Sequence, residues 1–248
     1  MTATLPEEYE YKDLLIEMAP IIFEITLDEC VELGLVSPYN IVCRPLELTF
    51  NERTDYKKIN NRFVYWKGQL GQFDAWENAK YILTNMSASS EEKRAATQFY
   101  KAIRERKKII DFAENKIEAF KTIVLNNPDK RILAFTGAND FTDMLTDSVI
   151  PLAQAYHSKR TKKQREAALE NFKSGMINVL CSTKALNQGL DVPDANMGIV
   201  CGLTSKSLPM IQRVGRLIRF QEDKTGEVII LYIKDSQEEK WLKNAIKD

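Results

Sequence analysis

The stretch Gln212-Arg213-Val214-Gly215-Arg216-Leu217-Ile218-Arg219 sets three arginines among three apolar residues, so one side packs while the guanidinium groups project elsewhere. A guanidinium is permanently charged and offers a rigid fork of donors that suits phosphate oxygens. Held at a nucleotide, it offsets the charge that builds on a transferring phosphoryl group. Arg216 and Arg219 are three residues apart, neighbours on a helical surface, and can reach one target. The same eight residues also fit a solvated basic helix face packed by Val214 and Ile218.

Two further stretches combine polar groups with a strand end. Ser182 and Thr183 follow the apolar run Ile177 to Cys181, where free amides and a hydroxyl at a helix start can hold a phosphate. Gly189-Leu190-Asp191 then turns the chain back and offers a carboxylate near the same edge. The plainer alternative is a Ser182 cap and an ordinary turn at Gly189. His157-Ser158-Lys159-Arg160-Thr161-Lys162-Lys163 also follows a strand candidate and is the most cationic patch in the chain. Lys159, Arg160, Lys162 and Lys163 fit a track for a nucleic-acid backbone, or equally a solvated loop. His157 has no His, Cys or acidic partner at metal-ligand spacing, so no metal site is assigned.

These stretches need elements to hold them. From Arg131 onward the rhythm is strand, loop, helix: strands at 131–135, 153–156, 177–181, 198–201 and 227–233, and helices from about Asp140, over 161–174, 207–218 and 236–246. Buried apolar strands alternating with amphipathic helices predict a mostly parallel sheet covered on both faces. In such sheets ligands bind beyond the carboxyl ends of the strands. Upstream, 40–48 reads as a strand that Pro45 confines to an edge or bulge. Residues 51–66 and 70–86 read as helices. Ala96, Phe99, Ile103, Ile110, Ala113, Ile117, Phe120 and Val124 predict one long amphipathic helix over about 91–125. Its basic cluster Arg104, Arg106, Lys107 and Lys108 is read as a wet face, with a nucleic-acid contact as the alternative.

The 248 residues are 44% hydrophobic, ordinary for a globular protein with a sizeable core. Lys and Arg number 35 and balance 35 Asp and Glu, so any polyanion must be met by local patches rather than by a global field. Cys30, Cys43, Cys181 and Cys201 are far apart with no CxxC pair, and are read as reduced thiols of a soluble, intracellular, cytoplasmic protein. No apolar run approaches the roughly 20 residues needed to span a bilayer.

In order, these motifs resemble the C-terminal half of the superfamily 2 nucleic-acid helicases. Gln212-x-x-Gly215-Arg216-x-x-Arg219 looks like motif VI, Ser182-Thr183 through Gly189-Leu190-Asp191-Val192-Pro193 like motif V, Ile132-Leu133-Ala134-Phe135 like motif IV, and Thr2-Ala3-Thr4 like motif III. The likeness is good over 131–233, extends to the first six residues, and is loose in the middle helices. It implies an α/β, three-layer RecA-like domain with a helical insertion at about 70–125. Residues 1–35 would be the tail of a first, ATP-binding lobe and 36–248 the second lobe. By the same resemblance, Arg216 and Arg219 would be fingers on the terminal phosphate, placed with help from Gln212. Gly189 and Asp191 would line the nucleotide side, and Thr183 and Ser182 would meet the strand. Lys159, Arg160, Lys162 and Lys163 extend that track by inference beyond the motif match.

One departure is large. No Gly-x-x-x-x-Gly-Lys-[Ser/Thr] cradle occurs, and Asp28-Glu29-Cys30-Val31 opens a helix candidate instead of closing a strand as a magnesium-binding acidic box would. The chain alone is therefore expected neither to bind ATP and Mg2+ tightly nor to hydrolyse ATP, with the missing N-terminal lobe as its partner and DNA favoured over RNA. The alternative is a non-catalytic RecA-like module that holds single-stranded nucleic acid or a partner.

Overall fold

A computed structural model describes residues 39–71, 74–183, 195–204 and 226–245. The expectations for Thr2-Ala3-Thr4, for the first-lobe tail, for the Gly189 and Asp191 turn and for the helix at 207–218 lie outside these residues.

Among the described residues six strands form one sheet: β1 (Tyr39–Leu46), β2 (Ile132–Phe135), β3 (Ala153–Tyr156), β4 (Val179–Ser182), β5 (Met197–Val200) and β6 (Gly226–Ile233). Their order is β1-β6-β5-β2-β4-β3 and every pairing is parallel. β1 lies at one edge, where Pro45 needs no ladder partner for its missing N–H. It pairs with β6 in unbroken register from Tyr39 opposite Gly226 to Leu46 opposite Ile233.

Helices cover both faces. The chain runs through α1 (Phe50–Gln69), α2 (Ala75–Thr84), α3 (Ser90–Asp111), α4 (Glu114–Leu125), α5 (Asn139–Ser148), α6 (Lys162–Ser174) and α7 (Gln237–Ala245). Alternation along the strands divides the core. Leu133, Phe135, Leu180, Val200, Val228 and Ile230 pack beneath α6 and α7 with Ala168, Phe172 and Leu242. Ile132, Ala134, Val179, Cys181, Ile199 and Leu231 pack beneath α4 and α5 with Phe120, Ile123, Phe141 and Leu145. This is the three-layer α/β sandwich expected, and α6 starts and stops where its sequence says. Thr161 forms a capping box with Gln164, and Gly175 closes the helix at φ 79°, a backbone region that favours glycine.

The middle helices differ from expectation. The segment 91–125 is two helices, with Phe112 and Ala113 leaving helical geometry between them. No Gly or Pro marks that break, and the apolar stripe runs through it at unchanged spacing. What stabilises it is remote: Glu52 in α1 accepts Glu114 N through Oε1 at 2.9 Å and caps its own helix by accepting Thr49 N through Oε2 at 2.9 Å. Ala113 and Ile110 then bury against Leu48 and Ile233. α1, α2 and the first half of α3 form a helical arm around Leu70, Ala75, Ala79, Ala96 and Phe99. α4 belongs to the sheet.

Candidate functional site

Because all six strands run the same way, the residues following their carboxyl ends share one rim. Thr136-Gly137 follows β2, His157 to Arg160 follow β3, Thr183 follows β4 and Cys201 to Leu203 follow β5.

A hydrogen-bond chain crosses three of these loops. Thr183 Oγ1 donates to Asn139 Oδ1 at 3.1 Å, and Asn139 Nδ2 donates to Ser158 Oγ at 3.4 Å. Ser182 is fully buried and its hydroxyl donates to Thr183 O at 2.9 Å, so it shapes the loop while Thr183 stands at the rim. α5 opens at Asn139 after Ala138, which has no side chain able to cap it. A helix start of this kind, beside a threonine hydroxyl, suits a phosphate. Beneath it, Thr136 Oγ1 and Thr142 Oγ1 are 2.6 Å apart and fully buried, tying the end of β2 to α5.

The basic patch is partly spent on its own fold. Lys159 Nζ donates to Asp140 Oδ1 at 2.5 Å, and Arg160 Nη2 donates to Asp143 Oδ1. Lys162 lies 3.7 Å from Glu166, and Lys163 is exposed. His157, almost fully buried, meets the same Asp143 through Nε2 at 2.9 Å, while its Nδ1 is buried without a partner. Burial pushes the Asp143 carboxyl up, but hydrogen bonds and charge from His157 and Arg160 outweigh it and hold the group below its ordinary value. The Cys181 thiol, buried in the sheet, is pushed up to about 12 and is inert as a nucleophile.

Of the basic cluster on α3, Arg104 and Lys108 are exposed, whereas Arg106 and Lys107 are half-buried. Arg106 lies over the Phe63 ring, 4.2 Å from its centroid, and donates to Tyr56 Oη at 3.1 Å. Lys107 Nζ binds both oxygens of Asp111, at 2.9 and 2.7 Å. Arg106 therefore packs on α1 and Lys107 pairs within α3 beside the loop after β2, which corrects the wet-face reading for these two positions.

Three charges near the rim, Asp111, Lys116 and Glu238, were not singled out from the sequence, and a fourth, Lys107, was read only as part of a basic cluster. Lys107 and Asp111 lie against Gly137, where an added Cβ would sit 3.5 Å from both Nζ and a carboxylate oxygen. Lys116 and Glu238 form a fully buried pair at 2.8 Å. Burial raises the Glu238 pKa above its ordinary value and Asp111 adds to the rise, while Lys116 pulls the other way. One signal was available: Lys116 falls on the apolar stripe of α4, four residues before Phe120 and seven before Ile123. Nothing in the sequence near Glu238 distinguishes it from an ordinary first-turn acid. Gln212, Arg216, Arg219, Gly189 and Asp191 lie outside the described residues.

Residues 115–221 match the helicase conserved C-terminal domain. Over that stretch the chain is similar to the C-terminal lobe of the superfamily 2 helicases. It is 26% identical over 240 residues to the DNA 3'-5' translocase XPB2 of Sulfurisphaera tokodaii, covering 94% of this chain and 52% of that protein. Over 125 residues it is 32% identical to the pre-mRNA-splicing ATP-dependent RNA helicase PRP28 of Cryptococcus neoformans, covering 49% of this chain and 16% of that protein. The fold is similar to that of the Pyrococcus furiosus Hef helicase domain, with a TM-score of 0.59 and 16% identity over 98% of this chain and 66% of that one. The chain thus spans about half the length of the translocase and a smaller share of the splicing helicase. No helix among the described residues is long and apolar enough to cross a membrane.

Proposed function

We propose that this chain acts as the C-terminal motor lobe of an ATP-dependent DNA or RNA helicase or translocase, completing a nucleotide site whose phosphate cradle and magnesium ligands belong to an N-terminal lobe. In this reading Arg216 and Arg219 are the fingers that meet the terminal phosphate, with Gln212 orienting them, and Gly189 and Asp191 border the nucleotide. Thr183 and the start of α5 hold a backbone phosphate of the nucleic-acid strand, the Thr183 hydroxyl turning its hydrogen from Asn139 Oδ1 to the phosphate. Lys159 and Lys163 extend the track as point charges, whereas Arg160 keeps the loop in shape through Asp143.

The observation that carries this reading is the wholly parallel sheet, because it gathers the ends of β2, β3 and β4 at one rim. The helicase-domain match supports it further, spanning both Thr183 and the stretch Gln212 to Arg219. A finger acts only on charge that develops during transfer, so it contributes to turnover and little to ground-state binding. Arg219→Ala in the full-length protein is therefore expected to abolish nucleic-acid-stimulated ATP hydrolysis while ATP affinity stays within about twofold. Equal loss of both would count against the finger role. Undiminished turnover would remove it.

A further inference from the structure

Where the chain leaves β5, two charges are shut away from the surface. Lys116 on α4 and Glu238 on α7 are each 0% exposed, and their other bonds go to backbone at two strand ends. Lys116 Nζ donates to Cys201 O at 3.1 Å. Glu238 accepts Leu203 N through Oε1 at 3.4 Å and Ile233 N through Oε2 at 3.0 Å. Ser236 Oγ accepts Glu238 N at 3.1 Å and donates to Ile233 O at 2.6 Å, fixing the start of α7 on the end of β6.

Stability alone gives little reason for such a pair. Lys116 sits in a stripe otherwise made of Ala119, Phe120, Ile123 and Val124, where an apolar side chain would pack without the desolvation cost of two buried charges. An apolar pair could not, however, grip a carbonyl and an amide two residues apart. Lys116 holds residue 201 and Glu238 holds residue 203. Between them Gly202 is pressed so close to the loop after β2 that an added Cβ would lie 2.5 Å from Gly137 N. The exit from β5 is thereby fixed on both sides of Gly202 and from below.

We infer that Lys116 and Glu238 are positioning residues that set the direction in which the chain leaves β5 toward the stretch carrying Gln212, Arg216 and Arg219. The inference rests on reading those arginines as fingers. Neither residue of the pair touches nucleotide or nucleic acid; both act through the backbone at 201–203. A displacement of about an ångström at a reacting group can cost on the order of a hundredfold in rate. Slack at this exit would therefore appear in turnover and leave ATP affinity nearly untouched.

The test is a Lys116→Met/Glu238→Met double variant of the full-length protein, which removes both charges and keeps similar volume, with Lys116→Met for comparison. The single variant is expected to melt well below the wild type, because it strands a buried carboxylate, and the double variant to recover. In the double variant kcat is expected to fall by about tenfold or more with KM for ATP within about twofold, and hydrogen exchange at the Leu203 amide to quicken. A folded double variant with wild-type kcat overturns the inference and leaves the finger reading standing. If Arg219→Ala keeps full turnover, the finger reading falls and this inference with it. Glu238→Gln, which preserves shape and an acceptor, carries the same test if the double variant does not fold: a smaller fall in kcat at constant KM supports the inference, and unchanged kcat overturns it.

Discussion

The strands of the sheet and the helices of the arm bury themselves by different means. Ile132, Leu133, Ala134, Val179, Leu180 and Ile199 are enclosed on both faces of the sheet, and the charges that reach this interior are paired. The 20-residue α1 buries none of its residues fully. The arm is instead held by aromatic contacts: Phe63 stacks on Phe99 at 5.5 Å, Trp76 meets Tyr100 edge-on at 5.0 Å, and Arg106 lies over Phe63. A parallel sheet needs cover on both sides and so fixes its strand ends closely. Three helices sharing one small cluster have much less to hold them, and such regions open at lower free energy. The rim belongs to the region whose geometry is most constrained.

Phe99→Ala tests this division most severely. It empties the centre of the arm and is expected to cost about 3 kcal/mol, in the range for large aromatic truncations. Hydrogen exchange should show α1, α2 and the first half of α3 losing protection while β2, β4 and β5 keep theirs. Equal loss in the sheet would mean that the two regions are one cooperative unit. Gly202→Ala probes the other side of the comparison. Its Cβ meets backbone, not a flexible side chain, so a cost of about 1–3 kcal/mol is expected in urea denaturation. No cost there would show that the rim yields more easily than its packing suggests.

The smallest effect is the pH dependence of the Asp143 cluster. His157 and Arg160 hold Asp143 below its ordinary carboxylate value of 3.8. A lowered folded-state value means the stabilisation is complete above that ordinary value and is lost as pH falls through the lower one. Asp143→Asn should therefore reduce stability near neutral pH and flatten the acid side of the stability profile. An unchanged acid side would show that the cluster contributes nothing to the rim's stability.

Most strands were legible because a buried parallel strand must be a short apolar run bounded by turn residues, as 132–135 and 179–182 are. Thr161 and Gly175 announced the ends of α6 because caps act through their own local backbone. The division of 91–125 was not legible, since its cause is Glu52, more than sixty residues away, reaching Glu114 N. Nor was the fate of Arg106 and Lys107, whose composition matched a solvated face and whose partners, Tyr56, Phe63 and Asp111, were brought to them by the packing of α1 on α3 and by the helix itself.

The amino-acid sequence by itself determined the α/β class, the confinement of β1 to an edge or bulged position through Pro45, and an order of motifs similar to that of a helicase C-terminal lobe. Each of these depends on spacing along the chain. Tertiary structure alone decided that Thr183 meets Asn139 and Ser158, and that Lys116 and Glu238 close on the exit of β5. Those groups are far apart in sequence, and their bonds exist only because a parallel sheet carries every strand end to the same side.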